Sequence, residues 1–293
     1  MSRLSLPIIL LPALLLAACG DGERAAAPHK TSILAAGDVA SCWWRGDEAT
    51  ARLLDRFEEG VVVLLGDAVY QDGTPEQFAR CYGPTWGRHR DRTRPTPGNH
   101  EYRYRDGEGY WEYFGELAGE RQKGWHSYEL DGWHVAVLNS EEEIGAGSEQ
   151  LRWLERDLRA NADRCTLVYT HRPRFSSGKH GSSARMEDAY RVMYEQGVDV
   201  LLGGHDHHYE RFAPQDPAAR RDDRRGIRQF VVGTGGAPTY RVRELLPNSE
   251  VRDNRTHGVL RLELRPRDYT WEFVPVRART FVDRGTSRCT PGV

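Results

Sequence analysis

Four largely apolar runs of strand length constrain the fold of this chain more than any other feature. Each run is followed within a few positions by a polar residue that can bind a metal ion or move a proton. Continuous apolar runs of this length are typical of strands that are buried on both faces of a sheet. The runs and the residues that follow them are 32–36 with Asp38, 61–65 with Asp67, 166–170 with His171, and 198–202 with His205 and His207.

Helices are predicted between these runs. Apolar residues spaced three and four apart predict helices over 47–59, 148–160 and 185–196. Alternation of strands and helices predicts an α/β sheet, in which the working residues lie at the carboxyl ends of the strands. Five further strand-like segments, which we expect to form a second sheet packed on the first, are 125–130, 133–138, 228–232, 258–264 and 269–276.

The residues at the loop starts combine carboxylate, amide and imidazole groups. This mixture, which also includes Asn99 and His100, suits hard or borderline metal ions. A glycine precedes Asp38, Asp67, Asn99 and His205, and we expect these glycines to allow sharp turns. Two metal ions about 3.5–4 Å apart that share one carboxylate would form a clamp suited to phosphoryl transfer.

Matched together and in order, these motifs resemble the calcineurin-like metallophosphoesterases, specifically the purple acid phosphatase branch. The resemblance extends over nearly the whole mature chain. It implies a four-layer α/β/β/α sandwich of two mixed sheets flanked by helices, with a dinuclear metal site at the carboxyl ends of the strands. The motifs are Gly66-Asp67-x-x-Tyr70, Gly98-Asn99-His100-Glu101, Val168-x-x-His171 and Gly204-His205-x-His207.

The resemblance also implies a role for each site residue. The first metal would be bound by Asp38, Asp67, Tyr70 and His207, and the second by Asp67, Asn99, His171 and His205. Asp67 would bridge the two ions, and a metal-bound hydroxide would attack phosphorus in line. His100 would contact the phosphate and protonate the leaving group, although a purely structural role for it stays open.

The first motif departs from the pattern of the purple branch. Gly37-Asp38-Val39-Ala40 stands where that branch has Gly-Asp-x-Gly, and the wider superfamily has a histidine ligand at position 40. Tyr70 is the natural replacement donor. A phenol, with a pKa of about 10, gives up its proton only to a strongly acidic partner. Ligation by Tyr70 therefore predicts Fe(III) with a violet absorption band, and Fe(II), Zn or Mn at the other position. The alternative is a hydrogen-bonded tyrosine with divalent ions in both positions.

Two further segments bear on the substrate. Arg174 and His180, in the loop after His171, are candidates for contacting the phosphate. The aromatic segment 102–115 either forms a pocket wall or, as we favour, covers an edge of the sandwich. The net charge of −2 gives no case for a nucleic-acid partner, so we expect a small phosphate ester.

The function predicted from these features is a metal-dependent phosphoric ester hydrolase, most simply a phosphomonoesterase. A phosphodiesterase or nucleotide hydrolase would use the same dinuclear site. A non-catalytic surface lipoprotein with a degenerate site is the alternative from another class, and the full set of expected ligand types argues against it. The oligomeric state is left open by the sequence.

The first residues predict export. Residues 1–18 have a basic start and an apolar run, and end in small residues before Cys19. This pattern resembles the signal peptide of a bacterial lipoprotein, with Cys19 as the lipidated residue that anchors the protein to the cell envelope; a plain secretory signal is the alternative. Residues 19–31 would be a tether and 32–293 a single metallophosphoesterase domain.

The remaining cysteines are Cys42, Cys81, Cys165 and Cys289. An even number in an exported chain favours two disulfides, for which three connectivities are possible. We favour Cys42–Cys81, which would tie two loops, and Cys165–Cys289, which would hold the C-terminal tail.

Overall fold

The computed structural model describes Met1 and residues 31–277 and 281–290. Apart from Met1 and Thr31, the predicted signal peptide and tether, including Cys19, lie outside the described residues. In the part of the chain that is described, no helix is long and apolar enough to cross a membrane. The boundaries proposed for the signal, tether and single domain stay predictions.

The secondary structure consists mainly of short strands. The strands are β1 (Thr31–Ala36), β2 (Ala40–Ser41), β3 (Val61–Leu65), β4 (Val69–Tyr70), β5 (Thr93–Thr96), β6 (His126–Leu130), β7 (Trp133–Val137), β8 (Thr166–Tyr169), β9 (Val200–Gly203), β10 (Tyr209–Phe212), β11 (Arg228–Val232), β12 (Ser249–Asp253), β13 (Gly258–Arg265), β14 (Asp268–Pro275) and β15 (Arg284–Arg288). The α-helices are α1 (Gly46–Leu54), α2 (Pro75–Gln77), α3 (Glu108–Phe114), α4 (Glu149–Ala160) and α5 (Glu187–Glu195). Between them lie the π-helical turn Phe78–Tyr82 and the 3₁₀ segments Trp86–Arg92, Glu101–Arg103, Arg105–Gly107, Gly115–Ala118 and Ala184–Met186.

Two large mixed sheets form the body of the fold. The first has the strand order β15-β14-β13-β1-β3-β5, in which β1, β3 and β5 are parallel and the other neighbours antiparallel. The second has the order β12-β10-β11-β9-β8-β7-β6, with a parallel centre from β11 to β7. The predicted fold class, two mixed sheets flanked by helices, is confirmed.

The predicted grouping of strands into sheets was wrong in part. We expected β8 and β9 beside β1 and β3, but they lie in the second sheet, whereas β13 and β14 join the first. Apolar runs report that a strand is buried, and they do not report which strand it pairs with, because pairing joins residues far apart in sequence. The loops that carry the predicted metal ligands therefore come from both sheets.

The layers follow from the alternation of side chains along each strand. In β8, Leu167 belongs to the apolar core between the sheets, whereas its neighbour Val168 belongs to the core under α4 and α5. In β9, Leu202 and Leu201 divide in the same way. Because successive side chains of a strand point to opposite faces, one sheet can bury residues on both sides.

Helix ends are set by polar contacts that the apolar pattern does not contain. Helix α1 ends at Leu54, five residues earlier than predicted, and the Arg92 guanidinium donates to the carbonyl oxygens of Leu54 (2.9 Å) and Phe57 (2.8 Å). These bonds satisfy carbonyl groups that have no partner within the helix. Helix α4 begins after Ser148, whose hydroxyl accepts a hydrogen bond from the Leu151 backbone N–H (3.1 Å), as expected for an N-cap.

Both disulfides form in the favoured connectivity, Cys42–Cys81 and Cys165–Cys289. The second bond joins residues 124 positions apart and fastens the chain end that follows β15 to the start of β8. Its main effect is expected on the unfolded chain, because a cross-link removes conformations from a long loop.

We expect the double variant Cys165→Ser/Cys289→Ser to lose about 4–5 kcal/mol of unfolding free energy, since a loop of this length loses that much entropy on cross-linking. The double variant Cys42→Ser/Cys81→Ser, which opens a loop of 39 residues, should lose less. Denaturant unfolding of both variants and the parent tests this order. A larger loss for the shorter loop would contradict it.

Candidate metal centre

Six of the seven predicted ligands follow five strands of the two large sheets at one edge of the sandwich, and the seventh, Tyr70, lies on a sixth, short strand. Asp38 follows β1, Asp67 follows β3, and Asn99 follows β5 in the first sheet; His171 follows β8 and the 205–207 segment follows β9 in the second. Tyr70 ends the short strand β4, which pairs with β2. Residues from both sheets are thereby brought together.

One group of donors surrounds the Tyr70 hydroxyl. Its oxygen lies 2.8 Å from Asp38 Oδ1, 3.1 Å from Asp67 Oδ2 and 3.0 Å from His207 Nε2. His207 Nε2 is itself 3.2 Å from Asp38 Oδ1. These four side chains are the set predicted for the first metal.

A second group surrounds the His171 imidazole. Its Nε2 atom lies 3.2 Å from Asn99 Oδ1, 3.5 Å from Asp67 Oδ2 and 3.1 Å from His205 Nδ1. These side chains are the set predicted for the second metal. Asp67 belongs to both groups, and its Oδ2 atom approaches both Tyr70 and His171.

The proton positions on two histidines fit metal binding. His171 Nδ1 lies 2.8 Å from the Leu65 carbonyl oxygen, and His207 Nδ1 lies 2.8 Å from that of Pro238. Each Nδ1–H donates to its carbonyl, so in the neutral ring the lone pair is on Nε2, which faces the carboxylates. Lone pairs and carboxylate oxygens repel each other unless a proton or a metal ion lies between them, and such backbone contacts are typical of metal-binding histidines.

His205 is the exception. The Arg172 guanidinium donates to His205 Nε2 (3.0 Å) and is held by Glu141 through contacts of 2.8 and 3.0 Å. A guanidinium has no acceptor, so the proton of a neutral His205 ring stands on Nδ1, from which it donates to His171. Binding of a metal at His205 Nδ1 requires that proton to leave and the contact with Arg172 to change.

At this edge, most of the residues with the left-handed backbone conformation of a sharp turn are predicted ligands and not the glycines before them. Asp38, Asp67 and His205 have φ values of 61°, 48° and 69°, in the left-handed region that costs about 1–3 kcal/mol for a residue with a Cβ. Of the glycines expected to turn the chain, Gly66 alone has a positive φ (76°). Gly98 is needed for a different reason, since a Cβ there would lie 2.3 Å from Asp67 Oδ1.

Burial and neighbouring charge set the ionisation of two donors. Burial alone would raise the pKa of Asp38, but His207 and the two other histidines lower it well below its usual range. Burial, together with the charges of Asp38 and Asp67, raises the pKa of Tyr70 well above its usual value. Without a cation, Tyr70 is therefore a neutral phenol that donates to Asp38.

His100 lies beside both groups without belonging to either. Its Nδ1 atom is 2.6 Å from the Gln71 carbonyl oxygen, and its Nε2 atom is 3.8 Å from Asp67 Oδ2. The ring lines a cleft of about 370 Å³ in front of the donors. The Nδ1 contact holds the ring in an orientation in which Nε2 is on the side of Asp67.

Glu101 is a positioning residue whose role the sequence did not reveal. Its buried carboxylate accepts backbone N–H groups of Asp67 (2.9 Å), Ala68 (2.8 Å) and Gly98 (2.7 Å). These bonds join the loops after β3 and β5. The only signal in the sequence was its place directly after His100.

The two residues proposed to contact the substrate differ in their position relative to the cleft. His180 lines the cleft, with its ring 4.4 Å from that of His205. Arg174 does not line it: its guanidinium lies 3.6 Å from Glu187 and 4.8 Å from the centre of the Phe175 ring. The turn after Pro173 directs Arg174 towards α5, which residue type alone could not predict.

Other cleft residues were missed or assigned to packing. Within 102–115, Tyr110, Trp111 and Phe114 lie on helix α3 and are buried in the main core, whereas Arg103 reaches the cleft. The additional wall residues that sequence reasoning did not identify are Trp44, Gln71, Lys179, Pro238 and Tyr240.

Asp206, between the two histidines of the 205–207 segment, points away from the donors and holds the loop that carries His180. Its buried carboxylate accepts hydrogen bonds from Ser176 Oγ (2.5 Å) and from the backbone N–H groups of His180 (2.8 Å) and Gly181 (3.2 Å). Gly178 packs against it so closely that a Cβ would lie 2.4 Å from Asp206 Cγ.

We expect Asp206→Asn to speed amide hydrogen exchange at His180 and Gly181 about 10- to 100-fold, because hydrogen bonds to a charged acceptor contribute about 1.5–3 kcal/mol each. The metal content should not change. Asp188→Asn is a matched control, since Asp188 accepts the Ala146 backbone N–H (2.8 Å) outside the cleft. Unchanged exchange at both loop amides in Asp206→Asn would contradict this role.

The two-sheet fold and the paired donor groups at its edge define the class of the metallophosphoesterases. The chain belongs to the calcineurin-like phosphoesterase family, which it matches over residues 31–209, more than half of its length.

Purple acid phosphatases are among its relatives. Probable purple acid phosphatase 20 of Arabidopsis thaliana is 27% identical over 234 residues, covering 68% of this chain and 50% of that protein. Fe(3+)-Zn(2+) purple acid phosphatase 12 of the same plant is 31% identical over 175 residues, covering 51% and 36%. The chain spans about half the length of the curated relatives it matches.

A solved structure shares the fold. A purple acid phosphatase from yellow lupin (Lupinus luteus) seeds aligns with a TM-score of 0.70 over 89% of this chain and 54% of that one. The identity is 18%, so the likeness concerns the fold alone.

Proposed function

We propose that the chain is a metal-dependent phosphoric ester hydrolase that acts on phosphate monoesters. The observation that carries the proposal is Asp67, whose carboxylate stands between the Tyr70 and His171 donor groups. A shared carboxylate between two groups of donors is what a pair of cations needs. The likeness to purple acid phosphatases supports the same reaction class.

We assign the proposed ligands to two metal ions according to the distances between their donor atoms. Asp38, Tyr70 and His207 would hold one ion, and Asn99, His171 and His205 the other, with Asp67 bridging. When bound, the two ions would neutralise the phosphate and acidify a water molecule for attack on phosphorus. We infer Fe(III) beside Tyr70 and Fe(II), Zn or Mn at the other position.

The side chains around the centre would orient the ester and complete the proton transfer. His100 would give a proton to the departing oxygen from Nε2, while the Gln71 carbonyl holds Nδ1. His180, whose ring lies beside that of His205, would contact the phosphate from the loop fixed by Asp206. No covalent phospho-enzyme is required, since the nucleophile is water.

Metal analysis and a substrate pair test the proposal. We expect about two metal ions per chain, and faster hydrolysis of p-nitrophenyl phosphate than of bis-p-nitrophenyl phosphate. A preference for the diester would favour the phosphodiesterase alternative. Less than one metal ion per chain, with no hydrolysis of either ester, would favour a non-catalytic lipoprotein.

We also infer that the protein acts outside the cytoplasm. The two disulfides support export, because such bonds persist in oxidising compartments. An anchor at Cys19 is the further proposal. Detergent phase partitioning tests it: the parent should enter the detergent phase and Cys19→Ser the aqueous phase. Aqueous partitioning of the parent would exclude the anchor.

A further inference from the structure

The walls of the cleft outside the metal-ligand set are cationic. Arg103 and Lys179 are the permanently charged side chains among these wall residues, and Asp67 is the only carboxylate that lines the cleft in the described part of the chain. The remaining walls are mostly aromatic or imidazole rings. A second pair of positive charges is therefore available in addition to the proposed metal ions.

Lys179 has no acidic partner within residues 31–277 and 281–290. No ion pair or hydrogen bond from its ammonium occurs among the described residues, and Nζ lies 4.4 Å from the centre of the Tyr240 ring. Lys123 provides a contrast, since its ammonium lies 3.2 Å from Glu120 and 3.0 Å from Glu149. The charge of Lys179 is thus free for a ligand.

The position of Lys179 separates it from the reacting phosphate. The Tyr240 ring stacks on the proposed ligand His207, with the ring centres 3.9 Å apart and the planes 13° apart. The Tyr240 ring thus contacts both the Lys179 ammonium and the proposed ligand His207. An anion bound to Lys179 would therefore stand next to the donors and not among them, where a second group of the same substrate can reach.

Arg103 is available on the side of the cleft that carries His100. Its Nη1 atom lies 3.2 Å from Gln71 Oε1 and 4.0 Å from Asp72 Oδ1. The side chains of Arg103 and Asp72 are about half exposed, and an exposed ion pair of this kind contributes little. Its guanidinium can therefore turn to a carboxylate or phosphate, to which it can make two parallel hydrogen bonds.

The size of the cleft restricts the ligand. About 370 Å³ lies near the lower end of the range for small-molecule pockets. Trp44 and Tyr240 contribute aromatic wall surface. The cleft fits a compact molecule that fills the space between the metal donors and the two cations.

We propose that the cleft selects small phosphate monoesters that carry a second anionic group, either a carboxylate or a further phosphate, and that Lys179 binds this group with Arg103 as a second contact. The inference rests on the proposed function, because it assumes that the reacting phosphate is held by the metal donors. It adds the chemical class of the leaving group.

Two matched substrate pairs test the proposal. 3-Phosphoglycerate differs from glycerol 3-phosphate by a carboxylate in place of a hydroxymethyl group, and fructose 1,6-bisphosphate differs from fructose 6-phosphate by a phosphate. We expect kcat/KM to favour the more anionic member of at least one pair by roughly tenfold, with the preference falling as salt is added. The pair that shows the preference identifies whether the second group is a carboxylate or a phosphate.

Substitutions test the assigned residues. Lys179→Met should remove most of that preference through a higher KM for the more anionic substrate, and Arg103→Gln should remove a smaller part. Lys123→Met, the same substitution outside the cleft, should leave the preference unchanged. Equal kcat/KM within both pairs for the parent, or a preference that survives Lys179→Met combined with Arg103→Gln, would overturn the proposal.

Binding without turnover gives a second readout. 3-Phosphonopropionate should bind the metal-loaded protein more tightly than propylphosphonate in calorimetry, and Lys179→Met should equalise the two affinities. Equal affinities for the parent would exclude a carboxylate as the second group. Failure of the proposed function would look different, since p-nitrophenyl phosphate would then also remain unhydrolysed by the metal-loaded protein.

Discussion

Replacing Asp67 by asparagine is expected to lower phosphatase kcat at least about 10³-fold and to reduce the metal content below one ion per chain. The Asp67 Oδ2 atom lies 3.1 Å from the Tyr70 hydroxyl and 3.5 Å from His171 Nε2, so both donor groups depend on it. An asparagine side chain has one acceptor oxygen and no charge. It cannot bridge two cations, and the carbon skeleton of the side chain is otherwise unchanged.

The same variant should separate metal binding from folding. Asp67 Oδ1 accepts the His100 backbone N–H (2.9 Å), a bond that the asparagine oxygen can keep. We expect the metal-free variant to melt at or above the temperature of the metal-free parent, because a buried charge close to Asp38 has been removed. Added metal should raise the melting temperature of the parent and not that of the variant.

Metal analysis, p-nitrophenyl phosphate kinetics and thermal melts check these outcomes together. Asp91→Asn, which changes an exposed carboxylate of the same type, is the matched control and should behave as the parent. Two tightly bound metal ions in Asp67→Asn would refute the bridging role. A lower melting temperature of the metal-free variant would show that Asp67 serves the fold as well.

Asp38, Asp67, His171, His205 and His207 could be identified from the sequence because each one lies close behind a buried apolar run. Asn99 and Tyr70 follow no such run, and the resemblance to the purple acid phosphatases was needed to place them among the ligands. Apolar runs locate strand ends, and parallel strands place their carboxyl ends at one edge of a sheet. Nothing further about pairing was needed, so the error over which sheet contains β8 and β9 did not disturb the prediction of the site. Tyr70 lies close to His207, and His171 close to Asn99, because all four residues are at that edge.

The cleft walls could not be predicted in the same way. Lys179 and Tyr240 are 61 positions apart in sequence and meet because two loops are tied together, in part by the Leu246 backbone N–H donating to Ser177 Oγ (3.1 Å). Arg174 was chosen for its charge, yet the turn of the loop takes it to Glu187. Loop positions depend on tertiary contacts, which neither residue type nor periodicity reports.

Tyr70→Phe is expected to abolish the violet absorption band and to replace Fe(III) by a divalent ion or leave that position poorly filled. Phenylalanine keeps the ring contacts with Trp44 (centres 5.4 Å apart) and His100 (4.3 Å). The substitution therefore removes the hydroxyl alone. We also expect kcat to fall by about tenfold or more, since an interaction that tunes the metal is lost.

The pKa of Tyr70 explains why the metal identity should depend on this hydroxyl. Burial and the charges of Asp38 and Asp67 raise that pKa, so the proton leaves only for a strongly acidic cation. Ferric iron can replace that proton; a divalent ion is much less able to, and it would leave the phenol hydrogen-bonded to Asp38. Without the hydroxyl, the preference for Fe(III) disappears.

Visible spectra and metal analysis of the parent and of Tyr70→Phe test this prediction. Tyr240→Phe is the matched control, because Tyr240 also lies against His207 but offers no oxygen to the donor group, and its band should persist. A colourless parent with both positions filled would show that Tyr70 is a hydrogen-bonding neighbour of two divalent ions. A coloured parent whose band survives Tyr70→Phe would assign the colour to another group, and position 70 would then lose its part in selecting the metal.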